Sequence, residues 1–328
     1  MAKPVIAVAG AGDLAKVFLE ESWADGTFDV VVCTSKVRMA SRHAQNKTHT
    51  DQKQMKEWYD KPNINVAITD YSVESMTELL NSTGAVALYV FYITFDYPVF
   101  VKVHSDLLDA CIASKSCKRF VPSEWCGNAL DFPRTPRFYG ETRLPIREKL
   151  CAQTEVEWTV ICLGFFMDYV VPSHQTYLKD YGEMDPWHRE KWVATLMGTG
   201  DEMVGMTSSR DVMKAAIEIA KLPKWENYFF IVGENTTLNK VTKQMEEFYG
   251  RKFNKIQYKT KEYTEAEMEI NKDDVERQSV LDVFEWLYNG ATYMPEEYYK
   301  PQREKYFTNV KFRTVAELLA DSKVKELV

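Results

Sequence analysis

Apolar residues fill Val5-Ile6-Ala7-Val8-Ala9 without a polar break, the pattern of a short strand covered on both faces. Phe28 to Cys33 repeats it, as do Asn65 to Thr69 and the strongly apolar stretch Ala85 to Ile93. Arg119-Phe120-Val121 and Trp158 to Cys162 predict a fifth and a sixth strand. Between them, apolar positions recur at helical spacing. One helix runs to about Trp23, one holds Met76, Leu79 and Leu80, and one holds Leu107, Leu108 and Cys111. Strands alternating with helices predict a parallel sheet wound by right-handed crossovers. The first domain, residues 1–163, therefore reads as a Rossmann-type doubly wound α/β fold.

The alternation fades after Gly164. Residues 165–205 are aromatic-rich and irregular. Arg210 to Leu222 predicts a helix, Tyr228 to Val232 a strand, and Leu238 to Tyr249 a further helix. Residues 164–328 read as a smaller C-terminal α+β lobe, with about 206–234 returning to the first domain. The mixed Glu and Lys run from Lys259 to Arg277 reads as a solvated helix face.

Charge removes one class of function. The 328 residues carry 41 Lys and Arg against 48 Asp and Glu, a net −7, whereas a general nucleic-acid binder needs clustered cations. Six cysteines without a C-x-x-C pair read as reduced thiols, with no zinc-like spacing and so no expected metal. No apolar stretch approaches the ~20 residues that span a bilayer. These features predict a cytoplasmic protein, monomer or homodimer, whose partner is a small molecule and neither nucleic acid nor membrane.

The first turn carries the candidate chemistry. Gly10-Ala11-Gly12-Asp13-Leu14-Ala15 fits G-x-G-x-x-G/A after a strand and at the start of a helix. Gly10 permits the tight turn, Gly12 admits a pyrophosphate close to the backbone, and Ala15 keeps helix and strand together. The free amides and dipole of the new helix, with Leu14 in its first turn, would hold the diphosphate. Asp13 would repel it if turned inward and is read as a helix cap. An acid at the end of the second strand would select NAD, yet none occurs from Val30 through Thr50. Lys36, Arg38, Arg42 and Lys47 do, which favours the 2′-phosphate of NADP(H), with Ser35, Lys36 and Arg38 nearest. Asp70 and Tyr71 either border the adenine or form a plain turn.

Lys118-Arg119-Phe120-Val121-Pro122-Ser123-Glu124-Trp125 resembles the R-F-x-P-S-E-[FW] segment of the NmrA-like and isoflavone-reductase-like proteins, which are atypical short-chain dehydrogenases. Further matches follow in order: Glu157-Trp158-Thr159-Val160, Gly164-Phe165-Phe166-Met167-Asp168-Tyr169, Thr207-x-x-x-Asp211-Val212, Ile231-Val232-Gly233-Glu234 and Gly250-Arg251-Lys252-Phe253. The resemblance covers most of the chain and looks closest to fungal members, many of which serve secondary metabolism. It implies a Rossmann domain bearing a substrate lobe, with NADP(H) in the cleft between them. It places Pro122, Gly164, Phe165 and Phe166 on the cofactor side. The family's reductases usually carry a Lys just before the helix ending I-R-x-x-[LI]. Aligning Ile146-Arg147-Glu148-Lys149-Leu150 on that pattern puts Arg143 there instead.

Lys can be tuned toward neutrality and donate a proton, whereas a guanidinium is a permanent cation and a poor general acid. Arg143 would hold ribose or polarise an oxygen. Tyr139 stands four residues earlier, so Tyr139-x-x-x-Arg143 mimics the Y-x-x-x-K of ordinary short-chain dehydrogenases. Either the pair works with Ser123 as the catalytic set, or Tyr139 packs and Arg143 makes a surface ion pair. Phe91, Tyr92 and Ile93 end the fourth strand, where bulk would narrow the pocket or stack on nicotinamide, or simply pack. Trp125, Asp168, Tyr169, Trp187 and Trp192 are the candidate substrate contacts, with Trp187, His188 and Trp192 as an aromatic wall.

The leading expectation is an NADP(H)-dependent reductase of a C=C, C=N or C=O bond in an aromatic or polycyclic small molecule, alkaloid-like substrates included. An NADP(H)-using cyclase or rearrangement catalyst, and a non-catalytic NADP-sensing regulator, stand beside it. The cofactor reading is directly testable. The protein binds NADPH more tightly than NADH. Replacing Lys36→Ala with Arg38→Ala removes charge-assisted hydrogen bonds and raises the NADPH Kd about tenfold or more. Fluorescence titration that finds equal affinity for both dinucleotides contradicts it.

Overall fold

The computed structural model describes residues 2–35 and 61–328, so Lys36, Arg38, Arg42 and Lys47 lie outside the described residues. The described chain divides into two compact units. Unit 1 comprises 1–124, 145–160 and 219–227, and unit 2 comprises 125–144, 161–218 and 228–328.

Unit 1 is built on one parallel sheet. Its strands are β1 (Val5–Ala9), β2 (Asp29–Thr34), β3 (Ile64–Ile68), β4 (Ala85–Val90), β5 (Arg119–Val121) and β7 (Glu157–Trp158), in the order β3-β2-β1-β4-β5-β7. That is the doubly wound order, reversing direction between β1 and β4. Ala9 lies level with Cys33 on one side and Val90 on the other, so three strands finish together. The helices are α1 (Asp13–Asp25), α2 (Val73–Thr83) and α3 (Tyr97–Ala113). Each has a sequence reason to start or stop. Ser72 caps α2 by accepting from the Ser75 amide, Asp96 caps α3 through the Val99 amide, and Gly26 and Gly84 end α1 and α2 in the left-handed conformation. Val8, Phe18, Leu88 and Phe120 fill the core, with Phe18 stacked on Tyr89 at 5.2 Å.

The fourth strand stops at Val90, not at Ile93, because its neighbour β1 ends at Ala9 and offers no further ladder. The apolar run Trp158 to Cys162 is two strands. Glu157–Trp158 closes the large sheet, while β8 (Val160–Cys162) pairs with β6 (Trp125–Cys126) elsewhere. Thr159 still donates its amide to Phe120, but Val160 donates to Asn227. A single β-favouring threonine between apolar neighbours gives no sign of such a break. The segment that returns to unit 1 is shorter than expected, 219–227, and Arg119 fastens it. Its guanidinium reaches the Ala220 and Pro223 carbonyls and Glu157, while Glu157 accepts the Trp225 amide.

Unit 2 holds more than half of the described residues and contains three small sheets. With β9 (Phe165–Phe166), β10 (Trp187–His188), β11 (Val193–Met197), β12 (Met203–Thr207), β13 (Tyr228–Phe230), β14 (Glu234–Thr237) and β15 (Lys255–Lys259), the orders are β10-β11-β15, β14-β12-β9 and β13-β8-β6. The stretch read as irregular therefore contains β11 and β12. Gly205 inside β12 weakens its sequence signal, yet geometry demands it. A Cβ on Gly205 would lie 2.8 Å from the Thr292 carbonyl oxygen, and one on Gly164, itself at φ +77°, would lie 2.2 Å from the Gly205 carbonyl oxygen. Helices α4 (Arg143–Cys151) and α5 (Ser209–Lys221) each run across a unit boundary. Helix α6 is Leu238–Tyr249, and α7 (Lys261–Ile270) and α8 (Val275–Tyr288) occupy the mixed-charge run and beyond. The C-terminal segment is held by Arg313, whose guanidinium engages Asp211, Asp321 and Ser208 inside the unit. No described helix is long and apolar enough to cross a membrane.

Candidate functional site

The carboxyl ends of β1, β2 and β4 meet at the Gly10 turn. Gly10 has φ +97°, and a Cβ there would stand 2.8 Å from the Tyr92 amide nitrogen and 2.9 Å from the Phe91 carbonyl carbon. Its amide donates to the Cys33 carbonyl at 3.0 Å, while the Phe91 amide donates to Ala9 at 2.7 Å. No other residue fits this position without moving backbone. Gly12 is different. Its φ is −79°, and a Cβ would meet nothing within 4 Å. The glycine leaves open space at the start of α1, and the N-cap has no side-chain hydrogen bond. The first intrahelical bond runs from Lys16 to Gly12, so the first-turn amides through Asp13, Leu14 and Ala15 lack intrahelical acceptors.

Unbonded amides, an open approach and the helix dipole suit a diphosphate. The residues present therefore fit the dinucleotide expected from the sequence. Asp13 is not the cap. It is the first residue of α1, and its carboxylate reaches Lys16 Nζ at 3.5 Å, which draws its charge to the helix side. Ala15 is fully buried, as close helix–sheet packing requires.

Around the turn, sequence candidates take distinct places. Ser35 follows β2 and is half-buried. Asp70 is exposed and belongs to a turn. Its carboxylate accepts the Ser72 amide at 2.9 Å, a bond that holds its pKa below the usual value. Tyr71 is buried at φ +64°, and its hydroxyl donates to the Cys33 carbonyl at 2.9 Å, tying the ends of β2 and β3. Tyr92 meets Tyr71 edge-on at 5.5 Å, Phe91 packs on Phe18 at 5.6 Å, and Ile93 is exposed. Three adjacent residues thus serve three purposes.

Pro122, Ser123 and Glu124 follow β5. The Glu124 amide donates to Pro122 at 2.7 Å, which places Ser123 at the tip of a tight turn. Glu124 is buried against Arg147, with carboxylate and guanidinium 3.3 Å apart. Sequence reasoning quoted both residues without joining them. Their pairing is the physical link between the P-S-E and I-R-x-x-L segments, and removing either partner would strand a buried charge. It fixes the turn that carries Ser123.

Tyr139 and Arg143 belong to unit 2. They do not share a helix, because Tyr139 lies in the 3-10 turn Arg137–Gly140 and Arg143 opens α4. They nevertheless meet. The guanidinium sits over the Tyr139 ring, 4.6 Å from its centroid, and donates to Thr142 at 3.0 Å. Both are buried, which removes the surface ion pair as an account of Arg143.

Other unit 2 candidates are mostly structural. Both Asp168 oxygens serve Ser209, through its amide at 2.8 Å and its hydroxyl, at the start of α5. Burial raises the Asp168 pKa, and both of its oxygens are engaged at the start of α5 inside the unit. Trp187 is fully buried and donates to Thr242 at 2.9 Å, which takes it out of the expected aromatic wall. Phe165 packs against Tyr169 at 5.2 Å, and Phe166 continues β9. Trp125 is half-buried in β6. Trp192 lines a recess described below.

No family model matches the chain. Individual proteins do. The chain is 31% identical over 317 residues to a protein of Arthroderma benhamiae described as oxidoreductase swnR, covering 96% of each. An NmrA-like family domain-containing oxidoreductase of Gibberella moniliformis is 26% identical over 112 residues, 34% of each chain. Among solved structures, AtPrR2 with NADP+ and (+)pinoresinol aligns with TM-score 0.72 at 14% identity over 97% of this chain and 98% of that one, a likeness of fold.

The two glycines separate folding from binding. Gly12→Ser supplies a capping oxygen to the amides that a diphosphate would use. It should leave the unfolding midpoint unchanged or higher while raising the NADPH Kd about tenfold or more. Gly10→Ala forces a side chain into strained backbone and should cost about 1–3 kcal/mol of stability in urea unfolding. A Gly12→Ser protein that binds NADPH as wild type contradicts the cradle.

Proposed function

This chain belongs to the NmrA-like and isoflavone-reductase-like oxidoreductases, and on that premise we propose that it is an NADP(H)-dependent reductase of an aromatic or polycyclic small molecule in fungal secondary metabolism. The observation that carries this reading is the open, uncapped start of α1 where the sheet reverses. The acid-free stretch from Val30 to Thr50 supports NADP(H) over NAD. AtPrR2, similar in fold, was solved with NADP+.

Bound NADPH supplies the hydride from its C4. The amides of α1 hold the diphosphate, and Gly10 holds the strand ends that position it. Ser123 offers a hydroxyl at a turn braced by the Glu124–Arg147 pair. Arg143 replaces the expected lysine with a permanent cation stacked on Tyr139, an arrangement able to stabilise negative charge but poor at donating a proton. A substrate that already carries positive charge at the accepting carbon needs no such donor. We therefore favour C=N, an iminium of alkaloid type, over C=C and C=O.

Stereospecifically 4-deuterated NADPH tests this. Incubated with N-methyl-3,4-dihydroisoquinolinium, an aryl enone and an aryl ketone, the protein should give deuterated amine faster than the other two products, by mass spectrometry. Arg143→Lys should raise ketone or enone turnover relative to imine turnover. Product without deuterium or NADPH loss would indicate a cyclase, and no conversion of any acceptor would contradict the reductase.

A further inference from the structure

The Gly250-Arg251-Lys252-Phe253 segment has no part in the cradle, and in unit 2 it builds something else. Gly250 ends α6 in the left-handed conformation, and Arg251 and Phe253 then hold Trp192 between them. The Arg251 guanidinium is 4.0 Å from the indole centroid, and the Phe253 ring stacks on it at 4.4 Å. Trp192 stands at φ +52°, a strained value for a bulky residue, with its indole N–H donating to Lys252 at 3.1 Å. Strain of this kind persists only where the surroundings over-determine it.

The recess beside this stack has a volume of about 290 Å³ and is lined in part by Val170, Pro172, Arg189, Trp192, Tyr249 and Arg251. Two guanidinium groups line it against one carboxylate, that of the exposed Glu190. Arg189 is the unusual one. It is only 9% exposed, and Nη1 donates to the Val171 carbonyl at 2.8 Å. Its Nε and Nη2 make no hydrogen bond, and the nearest carboxylate, on Asp180, stays 3.8 Å from Nη2. Buried donors are almost always bonded, and a charged donor without an acceptor is costly. Burial pushes the Tyr249 phenol up to about 12 against the pull of both Arg189 and Arg251, so the two cations act on one region.

We propose that this recess is a ligand site for a small organic carboxylate, which supplies hydrogen-bond acceptors to the Nε and Nη2 of Arg189 and rests its apolar body on Val170, Pro172 and the Trp192–Tyr249 edge. The planar two-oxygen group matches a guanidinium fork. Glu190 in the lining and Asp180, 3.8 Å from Arg189 Nη2, offset the two guanidinium groups, so the recess suits a monoanion better than a multiply charged phosphate. All the lining residues lie in unit 2, so the site stands apart from the α1 cradle in composition and does not rest on the reductase reading.

Titration calorimetry of the whole chain without NADPH, with benzoate as the probe, decides it. Saturable one-site binding is expected, with benzamide and inorganic phosphate at least about tenfold weaker. Arg189→Met should weaken benzoate about tenfold or more, and Arg251→Met should weaken it less, with the NADPH Kd unchanged in both. Should Arg189→Met not fold, the Arg251→Met and benzamide comparisons still decide. No benzoate binding, benzamide or phosphate binding equal to benzoate, or full benzoate affinity in a folded Arg189→Met protein overturns the proposal.

Discussion

At residue 10 the chain has room for a hydrogen and nothing larger, and the cradle depends on that contact. The Tyr92 amide and Phe91 carbonyl occupy the space where a side chain would begin, so β1 and β4 finish side by side. The same turn brings the Gly10 amide onto Cys33 and aligns β2. Because the three strands end at one level, α1 starts in the crevice with its first amides unbonded and Gly12 leaves them uncovered. Steric exclusion at one glycine and empty space at the next produce an anion site from backbone alone.

Several charged residues serve architecture more than chemistry. Arg119 fastens the returning strand segment, Arg147 neutralises buried Glu124, Asp168 holds the start of α5, and Arg313 gathers Asp211 and Asp321. Arg147, Asp168 and Arg313 are buried charges with partners, and such pairs fail badly when one member is lost. That leaves few groups for proton transfer. Ser123 sits at a braced turn, and Arg143 lies over the Tyr139 ring.

The parallel sheet was legible in the sequence, since unbroken apolar runs such as Val5–Ala9 are what strands buried on both faces require. So was the glycine turn. The strand break at Thr159 was not, because Trp158 to Cys162 is apolar on both sides of it. Strands β11 and β12 were hidden by Gly198, Gly200 and Gly205, which look like loop punctuation until Gly164 is found against Gly205. Asp168 and Trp187 looked functional because polar and aromatic residues in an irregular stretch carry no sign of burial. Their contacts with Ser209 and Thr242 join positions roughly forty to fifty-five residues apart, which no local pattern encodes. The Arg189 recess was missed for the same reason, since its lining comes from three separate stretches of chain.

Amide hydrogen exchange with and without NADP+ examines the α1 cradle most directly. Added NADP+ should slow exchange at the first-turn amides of α1, Asp13, Leu14 and Ala15, about tenfold or more, since these donors have no intrahelical acceptor until the diphosphate arrives. Protection that leaves these amides at their free rates while NADP+ is bound would contradict the account.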